Sequence, residues 1–240
     1  MAAWDKIIIC CCADRGWIVP ENIRCLCASA RASGIAIELH ADLCRTVAEH
    51  PEILRKLAGS GQILIGGCLN RAMKSIFTAA GASLPAEFID LRSAVLTPEK
   101  LRKLGLEPVE KADADIELPA AEPGWKAWFP VIDRERCINC GKCLDFCLFG
   151  VYEFDAGKRV QVVNPANCKN NCPACARVCP RAAVIFPKYK DPPVNGAEVD
   201  EKAPKENNFF DAGGGDDLYK LLAERKKLAR KLFRDREPEK

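Results

Sequence analysis

The sequence predicts an α/β N-terminal domain with a mostly parallel sheet, then a small α+β domain built around eight cysteines, and last a C-terminal helical tail. Three observations carry this. Short apolar runs alternate with helix-periodic stretches through the first hundred residues, the pattern of a parallel sheet covered by helices. Two dense cysteine runs follow between residues 137 and 179. A basic segment with helical periodicity comes after Gly213-Gly214-Gly215. The resulting boundaries are 1–106 for the cysteine-rich α/β domain, 107–130 for a linker, 131–190 for the small domain, 191–215 for a second linker and 216–240 for the tail helix.

Lys6 to Cys12 is a continuous apolar run of the kind that forms a strand buried on both faces. Pro20 opens a helix with Ile23, Leu26, Cys27 and Ala30 on one face and Gly34 as its stop. Ile35 to Leu39 reads as the second strand. It precedes a helical stretch through Leu43 and Val47 and a further one after Pro51 bearing Ile53, Leu54 and Leu57. Gln62 to Gly66 is the third strand, and Asn70 is expected to cap a helix carrying Met73, Ile76, Phe77 and Ala80, stopped by Gly81. Phe88 to Leu91 gives a fourth strand, and Thr97-Pro98 starts a helix ending at Gly105.

Prolines 108, 119, 123 and 130 with Gly124 interrupt any periodicity in the first linker, whose Trp125, Trp128 and Phe129 are expected to pack against one of the two domains. The second linker is polar. In the tail, Leu218, Leu221, Leu222, Leu228, Ala229, Leu232 and Phe233 recur at helical spacing among basic residues. Such a helix lies on a membrane, docks in a partner's groove or folds back on its own body; the narrow stripe without Trp favours the last two.

The net charge is +3, but residues 218–240 hold nine Lys or Arg against four Asp or Glu, a net +5, so the remainder sums to −2. Basicity is a property of the tail, and nucleic-acid binding by the body has no support. No stretch approaches the ~18 apolar residues of a membrane span. The glycine triplet lacks the Gly-Lys-Ser/Thr of a phosphate-cradling loop, and no Gly-x-Gly-x-x-Gly follows a strand, so no flavin or nucleotide site is expected.

The first cysteine run, Cys137-Ile-Asn-Cys140-Gly-Lys-Cys143-Leu-Asp-Phe-Cys147, has the spacing that places three thiolates around one iron-sulfur cubane and sends the fourth to its neighbour. The second, Cys168-Lys-Asn-Asn-Cys172-Pro-Ala-Cys175-Ala-Arg-Val-Cys179-Pro180, reads in the opposite direction. Eight thiolates then hold two cubanes. A single zinc ion fits less well, because three thiolates at this close spacing crowd a tetrahedron. Disulfides need an oxidising compartment, and the N-terminus has the wrong pattern for a secretory signal: the apolar run after Asp5 and Lys6 is short and lacks a cationic start. A reducing, anaerobic cytoplasm is the expected setting.

This double run resembles the bacterial two-cluster ferredoxin family over roughly residues 131 to 188. The resemblance implies that Cys137, Cys140, Cys143 and Cys179 hold one 4Fe-4S cluster, and Cys147, Cys168, Cys172 and Cys175 the other. Two departures stand out. Three residues separate Cys168 from Cys172 where the family usually has two, which is expected to loosen the second site without removing a ligand, and Leu148 stands where a proline often follows the fourth cysteine. Pro180 does follow Cys179, suiting a sharp exit from a cluster.

In a parallel α/β sheet, ligands collect at the carboxyl ends of the strands. Cys10, Cys11 and Cys12 end the first strand, with Cys10 and Cys12 sharing one orientation if that strand continues so far; Cys44 follows the second strand and Cys68 the third. Together with Asp42-Leu43-Cys44 and Gly66-Gly67-Cys68-Leu69-Asn70-Arg71, this order resembles the N-terminal domain of the HdrA component of heterodisulfide reductase over about residues 5 to 92. In that family the region joins a flavin-binding Rossmann domain and ferredoxin domains, and the flavin fingerprint is missing here. The functional reading is a third 4Fe-4S cluster on Cys10 or Cys12, or both, with Cys44 and Cys68. The alternative is that these cysteines pack as small apolar residues, which is the better reading for Cys25 and Cys27. His40, just before the Cys44 loop, is a candidate hydrogen-bond donor beside that site, and His50 a solvated helix end.

The expectation that follows is an electron-transfer subunit, without bond chemistry of its own, passing electrons to redox partner proteins such as a flavin-containing oxidoreductase. Two alternatives stay open: an enzyme reducing a thiol or disulfide substrate at the N-terminal cysteines, and a scaffold that holds clusters for delivery.

Overall fold

The computed structural model describes residues 4–57, 61–82, 86–92, 96–109, 112 and 115–201. The expected tail helix at 216–240 and most of the second linker lie outside these residues.

Strands β1 (Lys6–Cys10), β2 (Ala36–His40), β3 (Ile63–Gly67) and β4 (Ala86–Asp90) form one sheet in the order β2-β1-β3-β4, with every pairing parallel. Successive side chains on a strand point to opposite faces, and Ile7, Ile8 and Ile9 are each 0% exposed, so both faces of the centre of the sheet are covered. The coverings come from α1 (Pro20–Ala32), α2 (Leu43–Glu49), α3 (Pro51–Leu57), α4 (Asn70–Ala79) and α5 (Pro98–Lys103). Pro20 takes the first turn of α1, where its missing N–H costs nothing, and Ile23, Leu26, Cys27 and Ala30 face the core. Gly34 adopts φ 68°, and the bonds Gly34 N–H to Arg31 O and Ile35 N–H to Ala30 O close the helix end; Gly81 does the same for α4.

Two expected details differ. β1 stops at Cys10, and Cys12 sits at φ 49° in the left-handed region, so the apolar run continues past the point where the backbone turns and strand alternation does not relate Cys10 to Cys12. Asn70 is the first residue of α4 and makes no cap; Leu69 holds the cap position without a side-chain bond.

The remaining elements are small. β5 (Val131–Ile132) pairs antiparallel with β8 (Val184–Ile185), and β6 (Tyr152–Phe154) with β7 (Val160–Val162). Between them lie α6 (Lys142–Phe146), a 3-10 turn (Pro165–Asn167) and α7 (Ala174–Arg177). Two cores result. Residues 116–131 run along the first: Ile116, Ala127, Phe129 and Val131 are buried in it, together with Ile185. Trp128, between Ala127 and Phe129, belongs to the second core with Val151, Tyr152, Val160 and Phe186. Of the three aromatic residues in this segment, Trp128 thus serves one core and Phe129 the other, with Trp125 stacked on Phe129 at 6.1 Å.

Candidate metal centres

The loop after β5 brings Cys137 and Cys140 to the start of α6, which carries Cys143, and the exit of α7 brings Cys179 to the same place. All four thiols line one recess of about 350 Å3, walled by Ile132, Val160 and Val184. Asn139 at φ 55° and Gly141 at φ 77° turn the backbone between the cysteines. The Asn139 amide oxygen accepts the Val160 N–H at 3.2 Å, tying this loop to β7. Burial pushes the Cys143 thiol up to about 12, and Cys179, Cys137 and Cys140 add to the shift. A knot of thiolates in an apolar recess needs positive charge to be stable, and an iron-sulfur cluster with four thiolate ligands supplies it, so donor set and space fit that group. The Ala183 N–H donates to Cys179 Sγ at 3.3 Å, as a thiolate ligand requires.

Cys147, Cys168, Cys172 and Cys175 form the second set. Burial pushes Cys168 up to about 12, with Cys147 and then Cys172 contributing. Cys175 is raised by burial against the pull of the Tyr152 hydroxyl, which lies 3.0 Å from its sulfur, and Cys168, Cys147 and Cys143 raise it further. Because Cys175 feels Cys143 of the first set, the two sets are neighbours. The extra residue between Cys168 and Cys172 does not leave a slack loop. Asn171 takes φ 58°, the Cys172 N–H closes a turn on Lys169 O at 3.1 Å, and the Asn171 side chain accepts from Arg15 at 3.0 Å. Cys168 itself packs against both cores.

At the carboxyl edge of the large sheet, Cys10, Cys12, Cys44 and Cys68 are all buried, at 4, 8, 6 and 6% exposure. Asp42 places Cys44 by capping α2, accepting the Cys44 and Arg45 N–H groups at 3.0 and 3.2 Å. The Leu43 N–H donates to Cys10 Sγ at 3.4 Å. Burial raises all four thiols. Cys10 is raised further by Asp42, Cys12 and Cys68, Cys44 by Asp42, Cys68 and Cys10, and Cys68, pushed up to about 12, by Cys12. The structure therefore brings the four together. It leaves out Cys25, whose sulfur lies 3.9 Å from Leu96 O, and it sets Cys27 beside Cys11. His40 turns away from the cysteines, its Nε2 3.2 Å from Glu38 Oε1, and exposed His50 lies 3.3 Å from Glu52.

Two cationic residues near these sites escape a reading of the sequence as separate domains. Lys188, 4% exposed, reaches from beyond β8 to Asp14 at 3.0 Å and Asp42 at 2.5 Å. Burial alone would lower its ammonium, but Cys44, Asp42 and Asp14 hold it well above the ordinary lysine range. Arg71, one turn past Cys68, pairs with Asp133 at 3.3 Å, and both are nearly buried. A lysine 174 residues from its partner leaves no periodic trace in the sequence. Arg71 had a signal, its place three residues after Cys68, but no visible partner.

A model of the 4Fe-4S dicluster domain matches residues 129–180. An uncharacterized ferredoxin of Methanocaldococcus jannaschii is 42% identical over 104 residues, covering 39% of this chain and 70% of the relative. A second ferredoxin of that organism is 36% identical over 67 residues, 25% of this chain and 86% of its own length. Pyruvate synthase subunit PorD of Methanothermobacter marburgensis is 29% identical over 66 residues, 28% of this chain and 74% of that subunit. Eight cysteines in two adjoining sets coincide with the part of the chain that these proteins share, and the chain belongs to the 4Fe-4S dicluster ferredoxin family.

Proposed function

We propose that this chain is an electron-transfer subunit of a larger redox complex, with Cys137, Cys140, Cys143 and Cys179 holding one 4Fe-4S cluster, Cys147, Cys168, Cys172 and Cys175 a second, and Cys10, Cys12, Cys44 and Cys68 a third. The observation that carries the reading is the single recess lined by all four thiols of the first set, contributed by both cysteine runs. Clusters bound at these places supply reversible one-electron exchange. The chain's own residues do the rest. They hold the two dicluster sets side by side, with Cys175 within the field of Cys143, and Cys168 packs the second set against the core that contains the N-terminal cysteines. The third set is supported by the mutual electrostatic influence of Cys10, Cys12, Cys44 and Cys68, which random packing of cysteines at three strand ends does not call for.

The likeness to a pyruvate synthase subunit supports a large oxidoreductase as the partner, a flavin enzyme being one such class. Domain boundaries at 1–106 and 131–190 belong to the same proposal, as do a cytoplasmic setting and the absence of flavin from this chain. Among the described residues no helix is long and apolar enough to cross a membrane. Anaerobic purification followed by iron and sulfide analysis tests the reading: the full chain is expected to hold about twelve irons, and the triple variant Cys10→Ser, Cys44→Ser, Cys68→Ser about eight. Zinc as the main bound metal would overturn the whole reading, and an unchanged eight irons in both proteins would overturn the third site alone.

A further inference from the structure

Arg71 lies in the first turn of α4, on the N-terminal α/β part, yet every hydrogen bond that its guanidinium makes goes to the second half of the chain. Nε donates to Ala197 O at 3.0 Å and one terminal nitrogen to Pro193 O at 2.6 Å. The other donates to Asp133 Oδ2 at 3.3 Å and to Ala182 O at 2.9 Å. That last acceptor matters because of what lies across the same peptide group. The carbonyl of Ala182 and the N–H of Ala183 share one plane, and the Ala183 N–H is the group that donates to Cys179 Sγ at 3.3 Å. The plane is fixed from both sides: the Ala182 N–H donates to Cys179 O at 3.2 Å, and Ala183 O accepts the Asp133 N–H at 2.8 Å. Ala182 is held at φ 47°, which aims its carbonyl away from the sulfur and toward α4.

We infer that Arg71 is a positioning residue that sets the reduction potential of the cluster held by Cys179, acting through the Ala182–Ala183 peptide group. A cation on the carbonyl oxygen draws electron density along the amide and makes its N–H a stronger donor. A stronger hydrogen bond to a thiolate ligand favours the reduced, more negative state of an iron-sulfur cluster and raises its potential. Asp133 offsets much of the Arg71 charge at longer range, so the effect is local to the first set; the hydrogen bond from Tyr152 to Cys175, in the second set, involves neither residue. The inference rests on the assignment of Cys179 to the first cluster.

The test is an EPR-monitored redox titration of the full-length, anaerobically purified protein. Cys140→Ser first identifies the first cluster, as the signal it alters. In Arg71→Gln the midpoint of that signal is expected to fall, with a threefold to tenfold smaller equilibrium constant for reduction, tenfold being ~59 mV for a one-electron couple. The other signals and the iron content stay unchanged, and Arg71→Lys, which keeps the charge, shifts less than half as far. Asp133→Asn keeps Arg71 and removes its counter-charge, so the same midpoint should rise; this variant decides the matter if Arg71→Gln fails to retain iron. No shift, an equal shift of all signals, equal shifts in the Gln and Lys variants, or a fall in Asp133→Asn would each overturn the inference. If Cys140→Ser alters the signal that also responds to Cys172→Ser, the cluster assignment fails instead.

Discussion

Lys188 shows how much one side chain can carry when it is buried between two carboxylates. Its ammonium lies 3.0 Å from Asp14 and 2.5 Å from Asp42, with all three side chains at or below 6% exposure. Removing the cation leaves two anions facing each other in a poorly solvated site, beside thiols that are themselves crowded. Breaking a buried pair from one side costs about 3–5 kcal/mol. Lys188→Met is therefore expected to lower the unfolding free energy of the full protein by about that amount in anaerobic denaturant titrations. Adding Asp14→Asn and Asp42→Asn to it should recover most of the loss, since an uncharged trio needs no counter-ion. If Lys188→Met unfolds at the parent's denaturant concentration, the trio contributes no net stability.

At the scale of elements, the strap from Asp191 to Ala197 lies on α4 rather than standing off as a linker. Gly196 is at φ 95°, and a Cβ there would come within 2.9 Å of the Ala72 backbone nitrogen. Gly196→Ala meets both a disfavoured backbone angle and helix backbone that cannot yield, so it is expected to destabilise by more than about 1 kcal/mol and to lower the thermal midpoint. An unchanged midpoint would mean that the strap is not anchored there.

What was legible at this scale follows from how each feature is encoded. The parallel sheet and its helices were readable because strand and helix periods repeat over many residues, and the cysteine runs because ligand spacing is set by short-range chain geometry. The end of β1 was misread because Cys11 and Cys12 extend the apolar run while the backbone turns at φ 49°. The residue added before Cys172 looked like slack because its partner, Arg15, lies 156 positions away. Contacts of that range depend on the assembled fold and not on local pattern.

Over the whole molecule, the sequence of residues 216–240 still asks for an apolar surface, since Leu221, Leu228 and Leu232 make a stripe that an isolated helix cannot bury, and the net +5 of residues 218–240 favours an acidic one. Deleting 216–240 is expected to leave iron content and thermal midpoint unchanged while weakening recovery of the redox partner in anaerobic pull-downs from the native host. The difference should grow as salt is lowered, because screening is then weakest. Lost iron or earlier melting with undiminished partner recovery would place the helix in the protein's own core.

Trp128 and Phe129 are consecutive residues buried in different cores, and the first core also takes in Val131 and Ile185. A ribosome releases the β1–β4 sheet long before residue 185 leaves the exit tunnel. The N-terminal cysteines accordingly emerge into a half-finished core, its last apolar residues and the Lys188 cation still unsynthesised. Cofactor insertion at those cysteines thus belongs to the completed polypeptide, and a maturation factor serving this protein must recognise it after translation has ended.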